Sequence, residues 1–429
     1  MGALAAVAAV VALALALVGG LPLPAGARAP RPVTVSVLMP APFADATAEP
    51  VRRFNADHPE LRLQVVRGPL DSEALSDLAV SSLLLGDTPY DLLLVDLTWT
   101  ARYAAAGWLE PLDPLLGDDA LAGMVAGATL GTRFDGHLWR VPLQGDTGLL
   151  YWRTDLMERP PRDIAALERQ ARLLQRQGKV RWGYLWQGRQ YEGLSCVVNE
   201  ALQAFGARWW QPGPGPAGGE PTLAGPQAVA AVGWMRHLID AGISPPAVAG
   251  FGENEALQLF AAGEAAFLRN WPYAYALLQQ EDSAVRGRVG VVPLVGAPGQ
   301  EGGGTLGSWG LVLLRGSPHP REAASVIRWL CGEEVQRHLA RRYGYAPTWA
   351  SLYDDPALQR ELPLLAVQRQ ALEGAVARPT TPLYAQLSDV VQRQVNGLLA
   401  GDGSAGAAAT LATAQRQSEA VLRAAGSRR

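Results

Sequence analysis

The chain has 429 residues, 48% of them hydrophobic, enough for two or three packed domains of roughly 150 residues and not the composition of a disordered chain. Its 37 basic and 40 acidic side chains leave a net charge of −3. That balance gives no reason to expect nucleic acid or an acidic surface as partner.

The first element is an apolar run, Ala3–Val18, followed by Gly19, Gly20, Pro22 and Pro24, then Ala25-Gly26-Ala27. An apolar core, a breaker and an A-x-A site are the layout of an export signal, so residues 1–27 are expected to be a cleaved signal peptide and the protein periplasmic. The run has no Lys or Arg before it, and an uncleaved membrane anchor is the alternative. No later run reaches the ~18 apolar residues of a spanning helix. The two cysteines, Cys196 and Cys331, do not follow the signal region and offer no lipid acceptor there. Both fall in helical sequence and are expected to be buried free thiols, although an exported protein permits a bridge.

After the signal, Val33–Met39 reads as a strand, Thr47–Asp57 as a helix, Leu61–Val66 as a strand and Glu73–Leu85 as a helix. Asp91–Val95 (DLLLV) is the apolar run of a strand buried on both faces. This alternation is an α/β signature, and ligands collect at the carboxyl ends of such strands. Those ends carry Met39–Asp45, Gly68–Ser72 and Asp96–Trp99. Trp139–Pro142 begins another strand, and Gln144–Gly148 reads as a crossing between lobes ahead of a strand at Leu149–Trp152. Helices follow at Ile164–Gln177, Tyr191–Phe205, Ala228–Ala241 and Glu253–Ala262, with a Pro/Gly-rich surface loop at Trp209–Gly225. Ala265–Leu268 is a strand that meets Trp271-Pro272-Tyr273 at once. Pro272 keeps Trp271 out of the α region and suits the start of a helix, so the corner is a strand end tiled with rings. Val289–Pro293 reads as a strand leading back to the first lobe. Thr305–Leu314 is another strand, Arg321–Leu339 a helix, and the remainder helical. The lobes expected are 28–144 plus 289–343, and 145–288 plus 344–429.

Five stretches in order carry a resemblance: Tyr90–Asp113, Val141–Leu156, Trp186–Cys196, Gly263–Ala276 and Leu306–Leu313. Over nearly all of the mature chain the sequence resembles the extracellular sugar-binding proteins of ABC importers, solute-binding family 1, the maltose- and trehalose-binding group. The resemblance implies a two-lobe α/β periplasmic-binding-protein fold of type II with the ligand cleft between lobes. It implies capture of a neutral sugar by hinge closure and delivery to a membrane permease, with no chemistry on the solute, no cofactor and no metal. A monomer is expected. The implied solute is disaccharide-sized, such as trehalose, maltose, sucrose or a glucosyl polyol.

A sugar ring shows C–H groups on its face and hydroxyls on its rim. Aromatic rings suit the first, and carboxylates and Arg suit the second. By resemblance Asp96 accepts a sugar hydroxyl, with Trp99 beside it, a helix-capping Asp being the alternative; Asp146 is the family's acid at the crossing, or caps a turn there. Trp271 and Tyr273 form the stacking corner, with core packing as the alternative, and Tyr275 points elsewhere and is expected in the core. Trp309 matches a ligand position; Tyr191 and Glu192 match the family's YEG motif, where Glu192 either accepts a hydroxyl or opens a helix. Arg378 is a candidate donor or one half of a surface ion pair. Asp45 and Asp71 end early strand–helix loops and either line the cleft or cap helices.

Other chemistries compete. A glycosidase needs two carboxylates about 5–5.5 or 6.5–9.5 Å apart, and Asp96 with Asp146 could share a cleft. A serine hydrolase lacks its G-x-S-x-G elbow, and the five histidines stand apart without H-E-x-x-H. A binding protein for a glycerol-phosphate ester or an oligosaccharide is the closer alternative. A phosphate calls for clustered Arg or free helix N-termini, whereas the charged candidates here are acidic apart from Arg378.

Overall fold

The computed structural model describes residues 31–426 apart from 71, 86–88, 216–217 and 402. The expected signal segment and Asp71 lie outside the described residues. Two sheets organise the chain. The first has the order Leu61–Arg67, Val33–Met39, Leu92–Asp96, Trp309–Leu314, Leu109–Glu110, with Val141–Pro142 also paired to Trp309–Leu314. Its first three strands are parallel, and Trp309–Leu314 runs antiparallel to Leu92–Asp96. Leu92–Asp96 is buried at all five positions, as an apolar run covered on both faces must be. The second sheet has the order Trp182–Leu185, Ala265–Asn270, Leu149–Arg153, Val289–Pro293.

Between the sheets the chain crosses as a pair of short antiparallel strands, Asp146–Thr147 and Leu306–Gly307. Thr305 also bridges Val376, which brings the C-terminal part to the same place. The strand at Leu306 is therefore the return to the first lobe. Val289–Pro293, expected to make that return, instead pairs antiparallel with Leu149–Arg153 in the second lobe. An alternating apolar strand satisfies either sheet equally well, and only the partner across the ladder decides. The two lobes have separate cores. The first packs the sheet against the helices Ala41–Asp57, Pro320–Leu330 and Glu333–Tyr343. The second packs it against Glu192–Ala204, Pro226–Asp240, Tyr384–Ala400 and Gly406–Gly426. A smaller cluster joins Leu97, Val125 and Leu306 to Leu352, Leu358 and Leu372, so the segment after residue 343 backs the crossing before it enters the second lobe.

Three local expectations need correction. The first helix begins at Ala41, not Thr47, because Pro42 fits its first turn and Pro50 is carried inside it. The helix expected at Arg321–Leu339 is two helices, broken at Cys331-Gly332. The loop at Trp209–Gly225 holds a two-stranded ribbon, Trp210–Pro212 with Gly219–Pro221, and Trp209 is buried against Tyr384. Cys196 and Cys331 are free and buried.

A buried ion pair ties the second lobe to the crossing. Arg269 Nε and Nη2 donate to the two oxygens of Glu200, and Glu200 Oε1 also accepts the Thr305 N–H at 3.0 Å. Gly148 makes this approach possible, since a Cβ there would stand 2.1 Å from Glu200 Oε1. Burial works against the Arg269 cation, but Glu200 outweighs it, and the guanidinium pKa stands above its ordinary value.

Candidate ligand-binding cleft

The register of the first sheet places Trp309 directly opposite Asp96, so an indole and a carboxylate share the carboxyl end of the Leu92–Asp96 strand. Trp99 opens the next helix and meets Trp309 edge-on, with ring centres 5.5 Å apart. Phe43 adds a tilted contact to Trp309 and stacks on Tyr345 at 5.0 Å. This is an aromatic wall on the first lobe. The second lobe faces it with Trp271 and Tyr273, held at the corner that follows Ala265–Asn270, and with Tyr191. Tyr275 does not line the cleft; like Tyr273 it packs, partly buried, against the core beneath. Between the two walls lies a cleft of about 880 Å3.

Asp146 sits at the root of the cleft on the crossing strand and is 4% exposed. Its Oδ1 accepts the Ala346 N–H at 2.8 Å, and no ion pair among the described residues includes it. Burial pushes its carboxyl up to about 7, against the lowering effect of the Ala346 bond. The unfolded chain releases this proton near the ordinary carboxylate pKa of about 4. The folded chain keeps it until about 7. This group therefore favours folding fully at low pH, and that contribution is lost as pH rises through about 7. Asp146→Asn, which cannot ionise, is expected to gain melting temperature over the wild type progressively between those two values. Melting curves of solute-free protein along that pH series check it; a difference flat in pH contradicts it.

Arg378 joins carboxylates of both lobes. Its Nη2 donates to Asp96 at 3.1 and 2.9 Å, and its Nη1 donates to Glu192 at 2.6 Å. Far from a surface pair, it is 2% exposed. Asp96 Oδ1 also accepts from the N–H and hydroxyl of Thr98, so its orientation is locked. Glu192 opens the helix Glu192–Ala204 and accepts from Tyr384 and Ser388 as well. Asp96 and Glu192 therefore face the cleft with part of their acceptor capacity already engaged.

Asp45 corrects an expectation. The helix starting at Ala41 carries it outward, where both its oxygens pair with exposed Arg67. Arg67 holds its carboxyl below the usual range. Sequence reasoning missed Phe43, Gln144, Glu253 and Tyr345, all of which line the cleft. Gln144 Oε1 accepts the Asp146 N–H and its Nε2 donates to Gly307, linking the crossing strands. Tyr345 and Glu253 stand outside any recognisable motif, so nothing marked them.

The family model for bacterial extracellular solute-binding proteins matches residues 40–337. The chain belongs to that family. A probable ABC transporter-binding protein of Deinococcus radiodurans is 31% identical over 81% of this chain and 84% of its own length. A mannitol-binding protein of Pseudomonas aeruginosa is 26% identical over 71% of each. Maltose-bound MalE3 of T. maritima has a TM-score of 0.82 and 29% identity, covering 91% of this chain and all of that one. As an extracellular solute-binding protein, the chain has the type II two-lobe fold and works outside the cytoplasm. Among the described residues no helix is long and apolar enough to cross a membrane.

Proposed function

We propose that this solute-binding protein captures a neutral sugar or polyol of about disaccharide size and delivers it to the permease of an ABC importer. The observation that carries this is a cleft with aromatic walls on both lobes and the Asp146 carboxyl at its root. Its volume lies in the roughly 300–1,000 Å3 range that suits small-molecule ligands. The rings cover sugar C–H faces; Asp146 and the remaining acceptor sites of Asp96 take rim hydroxyls, and Arg378 donates beside them. Relatives named for mannitol and maltose support the same solute class. Capture proceeds by closure about the paired strands Asp146–Thr147 and Leu306–Gly307, because a solute touching both lobes favours the closed form. The protein works as an exported monomer and leaves the solute chemically unchanged.

The test is a thermal-shift screen of purified protein against maltose, trehalose, sucrose, mannitol and glycerol 3-phosphate. A native-state ligand raises the melting temperature by mass action. A rise with a neutral sugar or polyol, and no cleavage products on incubation, is expected. A rise with glycerol 3-phosphate alone, or hydrolysis of a hit, defeats the reading.

A further inference from the structure

Glu253 opens the helix Glu253–Ala261, yet it does not cap it. The neighbouring Glu255 does so, with Oε2 accepting the Gly252 N–H at 2.8 Å. The Glu253 side chain instead turns to the cleft. Its Oε1 accepts the Trp271 Nε1–H at 3.1 Å and its Oε2 accepts the Tyr191 hydroxyl at 2.7 Å. Those rings come from segments 18 and 62 residues away. Asn270 reinforces the junction, donating to the Glu253 carbonyl at 3.3 Å and accepting the Trp271 N–H at 2.8 Å.

Each ring is also held from one face by a guanidinium. Arg269 stands 4.0 Å from the Trp271 ring centre, and Arg189 stands 4.4 Å from that of Tyr191. The benzo edge of Trp271 lies against Gly307 of the crossing strand, where a Cβ would come within 2.8 Å of Cζ3. Cation on one face, carboxylate at the polar tip and backbone at the edge leave each side chain little freedom.

We propose that Glu253 is a positioning residue: its carboxylate fixes Trp271 and Tyr191 as one rigid aromatic surface before a solute arrives. Two hydrogen bonds converge on one carboxyl group, and rings already ordered need not be ordered again on binding. The consequence for affinity rests on the sugar-binding reading above; the consequence for the rings does not.

The test uses full-length mature protein labelled with 15N-tryptophan. The Trp271 indole N–H signal is assigned by its loss in W271F. In E253A that signal is expected to move upfield and exchange faster with water, whereas E253Q, which keeps an acceptor oxygen, moves it less. With maltose as the calorimetric probe, E253A is expected to lower affinity about tenfold. In a Y191F/W271F background, which lacks both donors, the same change is expected to cost less than about twofold. An indole signal unmoved in E253A overturns the proposal. So does an E253A penalty as large in the double-Phe background as in wild type, because Glu253 would then act on the solute or the fold directly. The indole signal is read without solute, so a wild type that takes up no maltose excludes maltose as the solute while the signal still decides the role of Glu253.

Discussion

Trp271→Ala is expected to weaken sugar capture by about 2 kcal/mol or more, roughly thirtyfold or beyond, while leaving the fold near wild type. The loss is large because the indole is braced on three sides, by Arg269, Glu253 and Gly307, and offers the solute a surface already in place. Aromatic anchors of this kind carry a disproportionate share of binding energy. The fold should tolerate the change, since Trp271 is only partly buried and belongs to none of the buried core clusters. Trp271→Phe should fall between, keeping an aromatic face but losing the bond to Glu253. Calorimetry with the best sugar of the screen, alongside melting curves, measures both parts. Unchanged affinity would remove the indole from the site; collapse of the fold would show that the corner is structural.

Glu200→Ala should be the most damaging single change to stability, at about 3–5 kcal/mol. Arg269 has no solvent exposure, and without Glu200 its cation would be buried with no ion pair among the described residues. The Thr305 N–H would lose its acceptor at the same stroke, loosening the crossing where it docks on the helix Glu192–Ala204. Glu200 and Arg269 replaced together by methionine should recover much of the loss, because the larger cost is the stranded charge and not the missing pair. Urea unfolding of the single and double variants separates these terms. A single-variant loss below about 1 kcal/mol would mean that water or Gln187, which accepts from Arg269 at 3.2 Å, already satisfies the cation.

Much of the architecture was legible in residue order. DLLLV read as a strand covered on both faces, and WPY at the end of another strand as a corner. The stretch Gln144–Gly148 read as a crossing ahead of a strand, and the structure adds that Gly148 makes room for Glu200. Less legible were features whose meaning depends on a partner far along the chain. Val289–Pro293 reads identically in either lobe, and Asp45 turned outward once the helix began at Ala41. Arg378 read as a donor or a surface charge, yet it lies buried between Asp96 and Glu192, 282 and 186 residues away.

Local pattern determined most of the long strands, most helices and the interlobe crossing, because periodicity and turn chemistry are properties of neighbours in sequence; the family came from the resemblance of five stretches in order. Tertiary structure alone decided which lobe each strand joins, that Asp146 is buried with no ion pair among the described residues, and that Glu253 bonds two distant rings. Those facts arise from burial and hydrogen-bond geometry, which exist only when segments remote in the chain are packed against one another.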